Sequence, residues 1–381
     1  MTTVLITGAR GFIGRNLAAR LSTLLTGSAG VPPALSRLSL LDIENTDAEW
    51  QEALSQAEVI FHLAGINRPK SVEEFETGNA GLTEWICDTL RTQGRKPKIV
   101  MSSSIQAALD NPYGVSKRKG EEALVAFGRE TGAPVSIYRL KNVFGKWCRP
   151  NYNSVTATFC HNIAHDLPLS ISDPANGIDL IYVDDIVAAF LEELSNSATG
   201  PESCYAQDSI PSTQITLGDL AGRIQSFHEM RSSLRVPDFS VRFNQCLYAT
   251  YLSYLEPARQ EYGLDIKSDP RGSLAEFIKS QYFGQVFVSR THPGITRGNH
   301  YHHTKTEKFF VIEGDALIRM RHIDSDEVVE FQVRGDAYRV VDIPPGHTHS
   351  IKNIGTGEMI ALFWASEIFD PDRPDTYFLE V

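Results

Sequence analysis

The chain has 381 residues, 42% of them hydrophobic and 22% charged, a balance that suits a soluble globular protein with room for two domains. Its net charge of −11 argues against non-specific nucleic-acid binding, so an anionic ligand would have to be met by local arginines and lysines. Five scattered cysteines (Cys87, Cys148, Cys160, Cys204, Cys246) without C-x-x-C spacing read as free thiols, and with no leader or membrane-length apolar run the expected location is the cytoplasm, with no membrane insertion.

Val4, Leu5 and Ile6 form a short apolar strand that runs into Gly8, Ala9, Arg10, Gly11, Phe12, Ile13 and Gly14, and Leu17, Ala18 and Leu21 leave it at helical spacing. Strand, glycine turn and helix in that order open a nucleotide-binding βαβ unit. Gly8 serves the tight turn, Gly11 leaves room for a pyrophosphate, and Gly14 brings the helix close to the sheet. The helix N-terminus then offers N–H groups to phosphate. The G-x-x-G-x-x-G spacing resembles the extended branch of the short-chain dehydrogenase/reductases.

Leu38–Leu41 reads as a second strand ending at Asp42, where an acid can bind the adenosine ribose hydroxyls and favour NAD. Arg10, Arg15 or Arg37 could instead hold a 2′-phosphate, and Asp42 could simply cap a helix. Residues 59–62 form a buried parallel strand. Its exit, Leu63, Ala64 and Gly65, is small enough for a cofactor to cross, and His62 reads as a packing residue. Asn67 and Arg68 follow at the carboxyl edge, where ligands bind in such folds.

The next strand ends in Ser102, Ser103 and Ser104. Beyond it, Tyr113 and Lys117 are four residues apart and share a helical face. A tyrosine with a pKa near ~10 exchanges protons poorly at neutral pH. A neighbouring ammonium is expected to lower that value, and a serine can hold a substrate oxygen beside the phenol, making a general acid for carbonyl reduction. Ser104 is the first choice for the serine and Ser103 the second. Asn142 begins a stretch similar to the R-x-x-N-V-[YF]-G of nucleotide-sugar enzymes. Arg149, Asn151, Tyr152 and Asn153 add groups suited to a uracil, a sugar and a diphosphate. Asp184 and Asp185 read as helix-capping acids.

From Leu217 to Tyr254 the pattern is helical, and from Arg271 it becomes short strands separated by glycines and acids. His300 and His302 should project from one strand face and His303 from the other. Glu307 and His349 could converge on them, and three imidazoles with a carboxylate suit a divalent metal such as zinc. These stretches resemble the two cupin signatures, although a metal-free cupin would carry similar histidines. The expected architecture is an α/β Rossmann domain of the extended short-chain reductase type over 1–255, a linker over 256–270, and an all-β cupin (double-stranded β-helix, jelly-roll) domain over 271–381.

With SSSIQ, DNPYG, FGKWC, PNYNSV, YVDDIV, GNHYHHTK, RHI and the ending DPDRPDTYFLEV, the whole chain resembles bifunctional enzymes of capsular polysaccharide biosynthesis that fuse such a reductase to a C-terminal cupin. The resemblance implies a UDP-2-acetamido-2,6-dideoxy-4-hexulose substrate, epimerised at carbon 3 by the cupin and reduced at carbon 4 with NADPH, towards UDP-N-acetyl-L-fucosamine. It also implies Ser104, Tyr113 and Lys117 as the reductase residues and a homodimer through the cupin. Asp42 departs from this pattern, since an acid there disfavours NADPH and leaves NADH open. Arg271, Gly272, Ser273 and the Arg297–His300 stretch also resemble metal-free dTDP-sugar 3,5-epimerases, which would make His300 the base and leave the metal to His302, Glu307 and His349. A competing reading keeps only the reductase and makes the cupin a structural or dimerising module.

Overall fold

A computed structural model describes residues 2–26, 35–195, 205, 210–269, 272–275, 278, 284–367 and 370–381. Contacts divide the chain into two compact units, Met1–Ser154 with Ile178–Gln214, and Val155–Gly177 with Ile215–Val381.

The first unit is built on five parallel strands: β1 (Thr2–Thr7), β2 (Leu35–Leu41), β3 (Val59–His62), β4 (Lys98–Ser104) and β5 (Val135–Leu140). Their order is β2-β1-β3-β4-β5. Alternate residues of β1 feed opposite faces: Leu5 packs with Ile60, Ile99, Leu90 and Phe127, whereas Val4 and Ile6 pack with Leu17, Phe61 and Phe190. Both faces are therefore covered, as the continuous apolar strands require. The chain leaves β1 towards one edge and returns on the other side at β3, so the crevice for a ligand lies at the carboxyl ends of β1 and β3. The helix after β2, Asp47–Gln56, is capped by Thr46 with a reciprocal bond from Glu49, which releases Asp42 from the capping role considered above.

The second unit packs two five-stranded antiparallel sheets. One runs Gln285–Thr291, Met359–Ala365, Glu307–Glu313, Arg339–Ile343, Glu261–Gly263; the other runs Val328–Arg334, Asp315–His322, His347–Asn353, Thr296–Tyr301, Tyr377–Phe378. Phe309, Val341, Met359 and Phe363 from the first meet Ile318, Met320, Phe331 and Ile351 from the second. This two-sheet sandwich fits the jelly roll expected from the sequence. Glu261–Gly263, inside the stretch expected to be linker, is an edge strand paired with Arg339–Val341.

The helices Leu217–Ser233 and Arg242–Leu252 fall in this second unit, on the far side of the boundary drawn at residue 255. A buried charge network explains the grouping. Asp342 takes Lys308 Nζ at 2.6 Å and Arg231 at 2.9 Å, and Lys308 also donates to the Tyr262 hydroxyl at 2.9 Å. Hydrophobic periodicity cannot reveal which sheet a helix will cover.

Candidate active sites and metal centre

The glycine turn after β1 is a cradle with no spare volume on its protein side. Gly8 has φ +67°, and a Cβ there would lie 2.6 Å from Ala64 N; a Cβ on Gly14 would lie 2.1 Å from Gly8 O. These contacts are backbone, so neither position accepts a side chain. A Cβ on Gly11 would meet only Gly8 O, at 3.1 Å, and its other side faces open space. The turn and the N-terminus of Phe12–Thr26 thus fit the phosphates of a dinucleotide. Asp42, at the end of β2, accepts from Arg10 N at 2.8 Å and Ile43 N at 2.9 Å, and the Arg10 guanidinium pairs with Glu44 at the exposed rim.

Leu63, Ala64 and Gly65 leave β3 beside this turn, with Leu63 N donating to Thr7 O. His62 is buried and bridges Thr7 and Thr83 through its two ring nitrogens at 2.8 and 2.9 Å. Burial, with the charge of Lys117, pulls its pKa to about 3, so it stays neutral as a packing residue.

The helix Pro112–Thr131 carries Tyr113 and Lys117. Asn111 caps it by accepting from Gly114 N at 2.8 Å, and Gly132 ends it at φ +76°. A Cβ on Gly114 would lie 2.1 Å from Gln106 O, so that glycine lets the first turn press against the segment following Ser104. The Tyr113 ring lies 5.6 Å from that of Phe75, and Ser104 Oγ accepts from Gln106 N at 3.2 Å. Ser103 is instead bound to the buried carboxylate of Glu121, which also accepts two bonds from Arg139 Nε at 3.0 and 3.1 Å. Of the two candidate serines, Ser103 is thus committed to Glu121, whereas Ser104 bonds only locally, to Gln106 N.

The Lys117 ammonium donates to Ser102 O at 2.9 Å and lies near Gly65, where a Cβ would sit 3.7 Å from its Nζ. Burial pulls the Lys117 pKa down to about 8, against the upward pull of Glu121. The phenol departs from expectation: burial raises the Tyr113 pKa, and the nearby Ser104 side chain only partly offsets it.

Two further residues escaped the sequence reading. Asn79, buried in the π-turn Glu76–Gly81, bonds Ile66 N and O and Ser116 Oγ, each at 2.9 Å, which ties the β3 exit to the Tyr113 helix. Nothing in its local pattern marks it. Glu121 had a legible signal, being four residues beyond Lys117 on the same helical face.

Among the expected substrate residues, Arg68 and Arg149 meet across one ring, with their guanidiniums 5.7 and 5.1 Å from the Tyr152 centroid. Asn67 and Asn151 are exposed, the latter at φ +54°. Asn142 also lies at the surface and donates to Asp179 O at 3.3 Å. Asp184, half-buried, pairs with the buried Lys146, both carboxylate oxygens lying 2.8 Å from Nζ.

In the second unit, His300, His302, Glu307 and His349 come together with their candidate ligand atoms all within 4.8 Å. A register shift between Gly298 and His300 precedes the pair, and Gly298 must lack a side chain because a Cβ would lie 2.7 Å from His349 O. The strand itself ends at Tyr301, and His303, just beyond it, packs against Tyr301 and Tyr377. Glu307 Oε2 lies 3.2 Å from His302 Nε2 and 3.1 Å from His349 Nε2, yet none of the three buried atoms has an aligned hydrogen-bond partner. Their other ring nitrogens are committed to carbonyls: His302 Nδ1 to Asp375 O at 2.5 Å and His349 Nδ1 to His347 O at 3.2 Å. Lone pairs converging in this way fit a divalent cation held by nitrogen and oxygen donors.

His300 also lines a cavity of about 150 Å³ with Arg297, Phe309 and Phe363. Burial, then the neighbouring His349 and His302, pulls its pKa to about 3. Gly272–Ala275 pairs with Ile266–Asp269, whereas Arg271 of the epimerase-like stretch and Cys204 lie outside the described residues.

Residues 4–204 match the NAD dependent epimerase/dehydratase family, and residues 267–377 match the polysaccharide biosynthesis C-terminal domain. The chain is 42% identical to the UDP-2-acetamido-2,6-beta-L-arabino-hexul-4-ose reductase of Pseudomonas aeruginosa over 378 residues, covering 99% of this chain and 98% of that protein. It is also 42% identical to the crystal structure of the capsular polysaccharide assembling protein CapF from Staphylococcus aureus, with a TM-score of 0.66 and full coverage of both chains. A shorter similarity, 25% over 118 residues, links it to the spore coat polysaccharide biosynthesis protein SpsL of Bacillus subtilis. With a parallel sheet built around a dinucleotide cradle, a β-sandwich around a histidine cluster and matches along its whole length, the chain belongs to the NAD-dependent epimerase/dehydratase family, in the CapF-like branch that carries a C-terminal polysaccharide-biosynthesis domain.

Proposed function

We propose that the chain reduces the 4-ketone of a UDP-linked 2-acetamido-2,6-dideoxy-4-hexulose for the synthesis of capsule or surface polysaccharide precursors, and that its β-sandwich first epimerises carbon 3 of the same sugar, towards UDP-N-acetyl-L-fucosamine. The reductase reading rests on Lys117, whose ammonium reaches Ser102 O and the Gly65 exit beside the glycine cradle from the helix that also carries Tyr113. Full-length similarity to a reductase of the corresponding sugar class supports the substrate.

A bound nicotinamide supplies a hydride to carbon 4. Tyr113 gives its proton to the ketone oxygen, and Ser104 hydrogen-bonds that oxygen. Lys117, as an ammonium, stabilises the phenolate left behind. The upward shift of the Tyr113 pKa suits this direction of reaction, since it keeps the phenol protonated before transfer. Arg68 and Arg149, flanking Tyr152, supply the local positive charge that a diphosphate needs in a chain of net charge −11. NADPH is the proposed reductant. Two backbone N–H groups already engage Asp42, and Arg10 stands at the rim to meet a 2′-phosphate in exchange for Glu44.

In the cupin, His302, Glu307 and His349 would hold a divalent cation, zinc by donor type, whose charge would favour an enolate. His300, neutral and lining the cavity, takes the proton from carbon 3, which the adjacent ketone acidifies. The exposed run Val286, Phe287 and Val288 on an edge strand supports a homodimer through this unit. The scattered cysteines, without C-x-x-C spacing, suit a cytoplasmic enzyme, and among the described residues no helix is long and apolar enough to cross a membrane.

The test is solvent exchange by NMR. The protein is mixed with the UDP-4-keto-6-deoxy sugar in heavy water without NADPH, and the hydrogen on carbon 3 is followed. Exchange that persists in Tyr113→Phe and disappears in His300→Asn supports two sites, one per unit. If the wild type shows none, the epimerase reading fails and a single-step reductase remains. Normal exchange in metal-loaded His300→Asn would remove His300 as the base.

A further inference from the structure

Asp375 lies far from the histidine motifs in sequence, yet it touches four consecutive residues of the segment that presents them. Its carbonyl oxygen accepts from His302 Nδ1 at 2.5 Å. Its carboxylate accepts from the backbone N–H of His303, Thr304 and Lys305, each at 3.0 Å, with the Thr304 hydroxyl at the same distance. Asp375 adopts φ +38°, a conformation that a non-glycine residue keeps only when its surroundings impose it.

The residues that follow extend the grip. Tyr377 and Phe378 pair with Tyr301 and His300, Leu379 N donates to Asn299 O at 2.9 Å, and the Leu379 carbonyl accepts from Thr348 Oγ1. Arg321 holds the Glu380 carbonyl at 2.8 Å. The segment Asp375–Glu380 therefore touches both the strand bearing His300 and the strand bearing His349.

We propose that Asp375 is a positioning residue for the metal centre: its carboxylate, locked by three backbone N–H groups, aims its own carbonyl at His302 Nδ1 and so turns His302 Nε2 towards Glu307 and His349. A histidine that donates one ring N–H to a fixed carbonyl is confined to one tautomer and one ring orientation, with the other nitrogen free to ligate. His349 has the same arrangement from a local source, the carbonyl of His347 two residues away. His302 depends on a residue 73 positions distant, so its orientation is set by tertiary structure alone. This inference rests on the reading of the cluster as a metal site.

The test uses the metal itself. Apo-protein is titrated with cobalt(II), the visible absorption of the bound ion is recorded, and the affinity is confirmed by competition with a chelator. Loss of such a supporting contact costs about 10–100-fold in metal affinity. Asp375→Ala and Asp375→Asn should weaken cobalt binding by that factor and alter the absorption bands. Arg321→Ala, which frees the other end of the same segment without touching His302, should leave both unchanged. Apo-protein melting curves accompany each variant, and Asp375→Asn, which keeps the size and tolerates the positive φ, serves where Asp375→Ala does not fold. Wild-type affinity and bands in a folded Asp375 variant would overturn the proposal. An equal loss in Arg321→Ala would do so too, by assigning the effect to the segment as a whole. A wild-type protein that binds no cobalt would remove the metal reading itself, a distinguishable failure.

Discussion

Replacing Glu121 by glutamine tests how the reductase site is held and charged. The Glu121 carboxylate is fully buried and accepts from Arg139 and from Ser103, and it stands one helical turn beyond Lys117. Glutamine keeps the shape and removes the charge. Breaking a buried pair costs about 3–5 kcal/mol, and the 19% exposure of the Arg139 side chain places this case near ~3 kcal/mol. For a unit of this size, ~3 kcal/mol corresponds to a fall of roughly 6–12 °C in Tm, measurable by calorimetry.

The second effect is on charge. The folded pKa of Lys117 is about 8, below the ordinary lysine value because of burial, and Glu121 is what pulls it up. Activity needs the ammonium, so it should be lost as pH rises through about 8 in the wild type. Without the Glu121 charge the Lys117 pKa falls further, and the alkaline limb of kcat/KM moves to lower pH. The assay is NADPH oxidation with the 4-keto sugar nucleotide across a pH series. A variant that melts lower but keeps its alkaline limb would show that Lys117 is not the group titrating there. One that changes in neither respect would refute the role given to Glu121 altogether.

Tyr113→Phe should lower kcat for reduction by about 10²–10⁴-fold with little change in KM, because it removes the proton donor and keeps the ring; an unchanged kcat would exclude Tyr113 as the acid. Gly14→Ala places a Cβ 2.1 Å from Gly8 O, so the first turn of the helix must move off the phosphate cradle, and NADPH binding followed by fluorescence titration should be lost while the cupin still binds metal. Asp342→Ala leaves Lys308 and Arg231 without their buried carboxylate and should destabilise the second unit by about 3–5 kcal/mol, read as a lower melting transition. A melting curve identical to wild type would mean that the network does not staple the helices to the sheets.

Wherever chemistry and spacing are local, the chain's own order determined the outcome. The glycine turn lies between a strand and a helix because apolar run, glycine spacing and helical periodicity are all contained in some twenty residues. Tyr113 and Lys117 share a face because a helix places i and i+4 together, whereas the strand of His300 ends at Tyr301 and His302 joins the cluster from just beyond it. Convergence needed the fold. His349 reaches His300 through antiparallel pairing within one sheet, and Glu307 reaches them only because the other sheet packs against it, while Ser103 is claimed by Glu121, a residue 18 positions away.

The direction of the Tyr113 shift was likewise a tertiary matter, since spacing puts an ammonium nearby but cannot weigh it against burial. The helices of 217–252 and the strand Glu261–Gly263 belong with the sandwich because Asp342 draws Lys308 and Arg231 to one buried point, and Asp375 reaches His302 across 73 residues. Periodicity reports which face of an element is apolar; which partner that face meets is decided only when the whole chain is packed.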